Sequence, residues 1–150
     1  MNRTMDIILI IDRSESLSGA PLARIKQHAL ALIDDLNKCA NCKVGLVSFS
    51  DVAKMEAALG DAGIDQAIWR LSAVGNTNHA AAFEMALSML VDEDRERRMI
   101  LYSDGETTIG DAPTTIAARI RDMGIDIACV GMQGTRGIDE RALLSWQGIT

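Results

Sequence analysis

The stretch Ile7-Ile8-Leu9-Ile10-Ile11-Asp12-Arg13-Ser14-Glu15-Ser16 decides how this chain is read. Its first half is a continuous apolar run without polar alternation, the pattern of a strand buried on both faces. The run ends in a carboxylate, and hydroxyls follow at Ser14 and Ser16. A buried strand that delivers Asp12, Ser14 and Ser16 at its carboxyl end places oxygen donors at the rim of a crevice. With no thiolate or imidazole among them, these donors suit a hard divalent cation.

Outward from this stretch, helical and strand patterns alternate. Pro21 sits near a helix start, where its missing N–H is harmless, and Leu22, Ile25, Ala29, Leu32, Ile33 and Leu36 form an apolar stripe to about residue 37. Residues 43–50 read as a second buried strand, and 53–59 as a weaker edge strand, antiparallel because its connection is so short. A short helix is expected at 64–71 and a strongly apolar one from His79 to about residue 91. The run Asp92-Glu93-Asp94-Arg95-Glu96-Arg97-Arg98 reads as a solvated connector. A strand at 99–103 ends in Asp104-Gly105, a helix runs from Pro113 to about residue 123, and a strand occupies 125–130. Residues 131–137 read as a flexible loop before a last helix at 139–146. This order implies crossover connections and a mostly parallel sheet between helical layers, a doubly wound α/β fold in a single domain.

In such a sheet ligands bind beyond the carboxyl ends of the strands, where the winding reverses. With strand order 3-2-1-4-5, the first and fourth strands flank that point and end in Asp12 and Asp104. Thr77 precedes a helix whose amino end faces the same rim. Taken singly, each residue has a plainer reading: Ser16 or Ser18 as cap of the first helix, Asn76 or Thr77 as cap of the third, Asp104-Gly105 as a turn. Together, Asp12, Ser14, Ser16, Thr77 and Asp104 read as the metal ligands. Mg2+ is the expected ion, since it is commonly held through one or two carboxylates. Neutral hydroxyls leave its charge incompletely balanced, so an outside carboxylate is favoured as a further ligand.

The totals exclude several classes. A chain of 150 residues with 48% hydrophobic content is one domain burying about 70% of its unfolded surface. A net charge of -6 argues against a nucleic-acid partner. No apolar run reaches the ~20 residues that span a bilayer, and Met1-Asn2-Arg3-Thr4-Met5-Asp6 is too short and polar for a secretory signal. A cytoplasmic location is therefore expected, without membrane attachment. The odd count of 3 cysteines does not suggest a disulfide framework, and Cys39-Ala40-Asn41-Cys42 lacks the partners of a zinc site. Cys129 reads as a core residue. His79 is expected to face solvent in the first turn of its helix, His28 to have no special role, and Trp69 and Trp146 to pack. Arg13 and Glu106 read as exposed loop charges.

The motifs Asp12-Arg13-Ser14-Glu15-Ser16, Asn76-Thr77-Asn78 and Ser103-Asp104-Gly105 resemble, in order and loop placement, the metal-ion-dependent adhesion site of von Willebrand factor type A domains. Leu17-Ser18-Gly19-Ala20-Pro21-Leu22 resembles bacterial members. The resemblance implies a protein-interaction module, not an enzyme, whose metal shell is completed by an acidic group of a protein partner. Ser14 and Ser16 would coordinate directly, Thr77 directly or through water, and Asp12 and Asp104 would ligate or hold coordinating waters. Magnesium is the metal implied, with Mn2+ or Ca2+ as substitutes. Glu15 departs from the family's frequent glycine and adds negative charge beside the site. The family continues past the point where Ile149-Thr150 stands with one more strand and helix; their absence would expose a sheet edge and invite self-association.

The alternative is a Mg-dependent phosphoryl-transfer or phosphate-binding α/β domain, because such enzymes also set Asp at the end of the first strand. Their nucleophile-plus-acid pattern wants a carboxylate where Ser14 stands. A phosphate receiver wants lysine at the end of the fifth strand, where Gly131-Met132-Gln133 lies. No Ser-His-Asp set and no Gly-rich phosphate loop ending in Lys-Ser/Thr is present.

Overall fold

Strand β1 (Met5–Asp12) shows why its apolar run is unbroken. Ile8 and Ile10 point into one core cluster with Phe49, Phe83, Leu101 and Trp146. Ile7, Leu9 and Ile11 point into the other, with Ile25, Ile33, Leu46 and Ile68. A strand covered by helices on both sides has no solvent face to make polar. The structure, a computed structural model, describes residues 4–149; Met1–Arg3 and Thr150 lie outside the described residues.

After β1 come a 3-10 turn (Glu15–Leu17), α1 (Ala20–Leu36), β2 (Cys42–Phe49), β3 (Ala53–Ala57), α2 (Ile64–Trp69) and α3 (His79–Met89). β4 (Glu96–Ser103), α4 (Pro113–Asp122), β5 (Asp126–Gly131) and α5 (Glu140–Trp146) follow. The sheet runs β3-β2-β1-β4-β5. Only β3 is antiparallel to its neighbour. Helices α1 and α2 pack on one face and α3, α4 and α5 on the other, as the alternating pattern implies. No helix among the described residues is long and apolar enough to cross a membrane.

Register carries this architecture to the site. Asp12 pairs with Phe49, and Ile11 with Tyr102, so β1 and β4 end side by side. Asp12 and Ser103 thus face each other across the ladder, with Asp104 one residue beyond. Asp12 also shares the face of Ile8 and Ile10, toward α3.

Several expectations are corrected. The charged connector is not wholly solvated: β4 begins at Glu96, and Arg95 is half-buried. Its Nε donates to Asp6 Oδ1 at 2.6 Å and its Nη2 to the Met5 and Asn41 carbonyls at 3.1 and 2.8 Å. Trp69 does not pack in the core; it is 59% exposed, at the end of a short helix whose buried residues are Ile64 and Ile68. Trp146 is buried as expected. His28 lies on α1 with Nδ1 2.9 Å from the Tyr102 hydroxyl. Cys39 and Cys42 are joined as a disulfide, their Cα atoms 5.5 Å apart in the tight turn after α1. Cys129 is only partly buried, yet burial still pushes its thiol up to about 12.

Asp6 is buried, and Arg95 is the cation that meets it. Arg95→Ala leaves a buried carboxylate without its cation and removes one donor from each of the Met5 and Asn41 carbonyls, and is expected to cost about 2–4 kcal/mol. Urea unfolding measures this, and a loss below about 0.5 kcal/mol would show the pair to behave as an exposed one.

Candidate metal centre

The loop leaving β1 turns at once into the 3-10 turn, so alternate side chains of residues 12–16 stay on one side. Ser14 is the N-cap of that turn but makes no side-chain cap bond. α1 is preceded by Gly19 with φ of 81°, and Asn78 caps α3 by accepting from the Ala81 N–H at 3.1 Å. The capping roles are therefore filled by other residues, and Ser14, Ser16 and Thr77 are left for something else.

Asp12, Ser14, Ser16 and Asp104 form one continuous network. Ser14 Oγ donates to Asp12 Oδ1 at 2.6 Å, with the Ser14 N–H on the same oxygen at 2.9 Å. Ser16 Oγ donates to Asp104 Oδ2 at 2.9 Å. Both hydroxyl protons are thus committed to carboxylates, yet the two Oγ atoms stand 3.2 Å apart. With those protons on the carboxylates, both oxygens have lone pairs to offer a cation placed beside them.

Ser16 and Thr77 line a cleft of about 300 Å3, together with Glu15, Asn76, Thr108 and Arg136. Asp12, Ser14 and Asp104 are buried beneath it. Thr77 shares the cleft with Ser16 but is not bonded to the other four; its N–H donates to Thr108 Oγ1 at 2.8 Å, and its carbonyl accepts from the Thr108 and Ile109 N–H groups. Its hydroxyl makes no hydrogen bond among the described residues. No three His, Cys, Asp or Glu side chains come together as a metal group among the described residues. The donor set is two carboxylates filled out by hydroxyls, which fits a hard, oxygen-seeking divalent ion.

Burial pushes the Asp12 carboxyl up to about 6, against the pull of hydrogen bonds from Ser14 and Ser103. Burial also raises Asp104, opposed by the Glu106 N–H, Ser16 and the Arg136 guanidinium. Two buried carboxylates with raised affinity for protons are a site short of positive charge.

Two supports escape sequence reasoning. His79 is fully buried rather than solvent-facing, packed against Phe49 and Trp146 at centroid distances of 5.1 and 4.6 Å. Burial lowers its pKa to about 3, so it is neutral. Ser103 Oγ gives its one proton to Asp12 Oδ2 at 2.7 Å, so it accepts from His79 Nε2 at 2.8 Å and from the Gly105 N–H at 3.0 Å. His79 Nδ1 then accepts from Thr107 Oγ1 at 2.7 Å. The imidazole therefore holds the serine that holds Asp12. The second support is the loop after β5, read from sequence as flexible. It is tied down by the Thr135 N–H on the Ser16 carbonyl at 2.8 Å and the Met132 N–H on the Ser103 carbonyl at 3.0 Å. Gly134 permits this, because a Cβ there would meet the Ser16 carbonyl oxygen at 2.5 Å.

Residues 6–145 match the family model of the von Willebrand factor type A domain, and the chain belongs to that family. The protein sll0103 of Synechocystis sp. is 31% identical over 113 residues, covering 71% of this chain and 26% of its own length. The chain thus spans about a quarter of that curated relative. In fold it is similar to manganese-loaded TRAP protein of Plasmodium vivax, with TM-score 0.80 and 20% identity over 99% of this chain and 64% of that one. It is also similar to proximal thread matrix protein 1 of the mussel byssus with a zinc-occupied MIDAS motif, with TM-score 0.82 and 22% identity over 99% and 40%.

His79→Phe keeps an aromatic ring between Phe49 and Trp146 but takes one donor from Ser103 Oγ and the acceptor from the Thr107 hydroxyl. It is expected to cost about 1–3 kcal/mol and to weaken divalent-ion binding, read by urea unfolding with and without the ion. The pH dependence has a definite sign. In metal-free protein the folded pKa of Asp12, about 6, lies above its ordinary 3.8, so the native state holds more protons between those values. Stability should therefore fall as pH rises through that window, and a divalent ion, which needs the ionised form, should stabilise more at about pH 7.5 than at about pH 5. Melting curves at the two pH values check this; an equal shift at both would contradict it.

Proposed function

We propose that this domain is a non-enzymatic protein-interaction module that holds Mg2+ at the β1–β4 rim and through it takes a carboxylate of a protein partner. Mn2+ and Ca2+ are the expected substitutes. The observation that carries the reading is the pair of serine oxygens 3.2 Å apart whose protons are both given to buried carboxylates. Ser14 and Ser16 would present lone pairs to the ion, Thr77 would add its hydroxyl from across the cleft, and Asp12 and Asp104 would supply charge from behind. Because both carboxylates are spent on the serines, the shell is poor in direct negative ligands, and the open cleft favours an anion from outside. Its walls match this: Glu15 stands on the rim, and Arg136 lines the same cleft, setting a positive charge against the extra negative one.

Millimolar Mg2+ is expected to raise the melting temperature and chelator to remove the gain, corresponding to about 2.7 kcal/mol at a hundredfold excess over the dissociation constant. Ser14→Ala, Thr77→Ala and Asp12→Ala should each lose most of the shift while remaining folded. Mutants that respond like the wild type would refute the assignment. Turnover of an aryl phosphate that depends on Asp12 would replace the adhesion reading with phosphoryl transfer.

A further inference from the structure

We propose that the groove between β3 and α2 docks a second acidic residue of the same partner segment whose first carboxylate reaches the metal centre. This rests on the adhesion reading above. The groove measures about 410 Å3 and is lined by Arg13, Lys54, Met55, Arg70 and Leu71 among others. Its lining sets Arg13, Lys54 and Arg70 against Glu56, so this corner reverses the sign of a chain whose net charge is -6. Lys54 is answered by Glu56 at 3.4 Å. Arg13 and Arg70 have no ion pair among the described residues; they donate only to the Ser72 carbonyl at 2.9 Å and to Gln66 Oε1 at 3.3 Å. Glu56 also lines the groove but is taken up by Lys54, so the two guanidinium groups have no carboxylate of their own among the described residues and are suited to carboxylates from outside, which their planar forks meet in pairs.

The surroundings say what kind of segment fits. Met55 on the groove wall is 50% exposed, Trp69 beside Arg70 is 59% exposed, and Val52 and Val74 on the loops at its metal-centre end are 70% and 52% exposed. Apolar side chains left open around unpaired cations match an acidic segment with apolar residues between its charges. Among the described residues β3 is an edge strand paired with β2, a position to which an extended chain can add.

The groove is continuous with the metal centre. Residues 72–75 form the wall between them, with Ser72 on the groove and Gly75 on the cleft. That wall is held to the metal loop by the Val74 N–H on the Arg13 carbonyl at 2.8 Å and the Glu15 N–H on the Gly75 carbonyl at 3.0 Å. Its three residue steps span at most about 10 Å. An extended peptide with one carboxylate in the cleft therefore crosses Val74 and delivers a side chain about three residues along into the groove.

The test uses two synthetic peptides and isotope-labelled protein in Mg2+, followed by amide NMR shifts. One peptide carries a single Asp in a Gly-Ser background; the other adds a second Asp three residues away with Leu between. Wild type is expected to bind the two-Asp peptide about three- to tenfold more tightly, with Lys54, Arg70 and Ser72 amides shifting. Lys54→Glu/Arg70→Glu should abolish that advantage while leaving single-Asp affinity and the Mg2+ melting shift unchanged. The neutral pair Lys54→Gln/Arg70→Gln should lose part of it. Equal affinities in wild type, or an advantage that survives charge reversal, overturn the groove proposal and leave the adhesion reading standing. If neither peptide binds in a Mg2+-dependent way, the adhesion reading itself falls, and the groove proposal with it.

Discussion

Two serine oxygens at 3.2 Å, each with its proton already given to a buried aspartate, are the constraint on which the centre depends. Hydroxyls are adaptable because their proton can rotate toward whatever acceptor is near. Here that freedom is used up. Asp12 takes the proton of Ser14 and Asp104 that of Ser16, so the lone pairs are directed by the carboxylates and not by solvent. Ordinary side-chain hydrogen bonding would have set one serine donating to the other. With both protons directed to the carboxylates, the serine oxygens are left to meet positive charge.

Holding such an arrangement needs backbone precision, and the sheet supplies it. β1 is packed on both faces, so a slip of one residue would exchange its two apolar sets between unlike cores. β4 lies against β1 in fixed register, which sets Ser103 opposite Asp12. His79 completes the support from the third element, accepting from Thr107 and donating to Ser103. Its burial against Phe49 and Trp146 keeps it neutral, so Nδ1 can accept from Thr107 while Nε2 donates to Ser103. A protonated imidazole would donate from both nitrogens, and Thr107 Oγ1 could then no longer donate to Nδ1.

The sequence was informative where local rules and the sheet act together. Apolar runs place strands, alternation with helices places the winding, and the winding brings Asp12 and Asp104 to one edge; all of this is legible from Ile7 to Ile11 and Met99 to Ser103. Ser14, Ser16 and Thr77 follow, because loops leaving that edge have few places to go. What was not legible depends on contacts between distant elements. His79 looks like an exposed first-turn residue until Trp146, from the last helix, covers it. Arg95 looks like one more charge in a charged connector until Asp6 turns out to be buried beside it. Gly134 sits in a glycine-rich loop, and nothing local says that one of those glycines lies against the Ser16 carbonyl.

The same limit applies to charge. Summed over the chain, the net of -6 suggests a surface that repels acidic partners. The fold redistributes that sum: Asp6, Asp12 and Asp104 are buried and internally bonded, whereas Arg136 offsets Glu15 in the cleft and Arg13, Lys54 and Arg70 outnumber Glu56 in the groove. Removing carboxylates from the surface while leaving guanidinium groups in the openings turns an acidic protein into one with a locally cationic face. Steering depends on the field near the opening, screened over about 8 Å at physiological salt, and not on the total. Arg13 is the point where both effects meet, because the residue between two candidate ligands sends its side chain out of the metal centre and into the neighbouring groove. In the proposed mode of binding, a single strand end thereby serves both halves of the recognition surface.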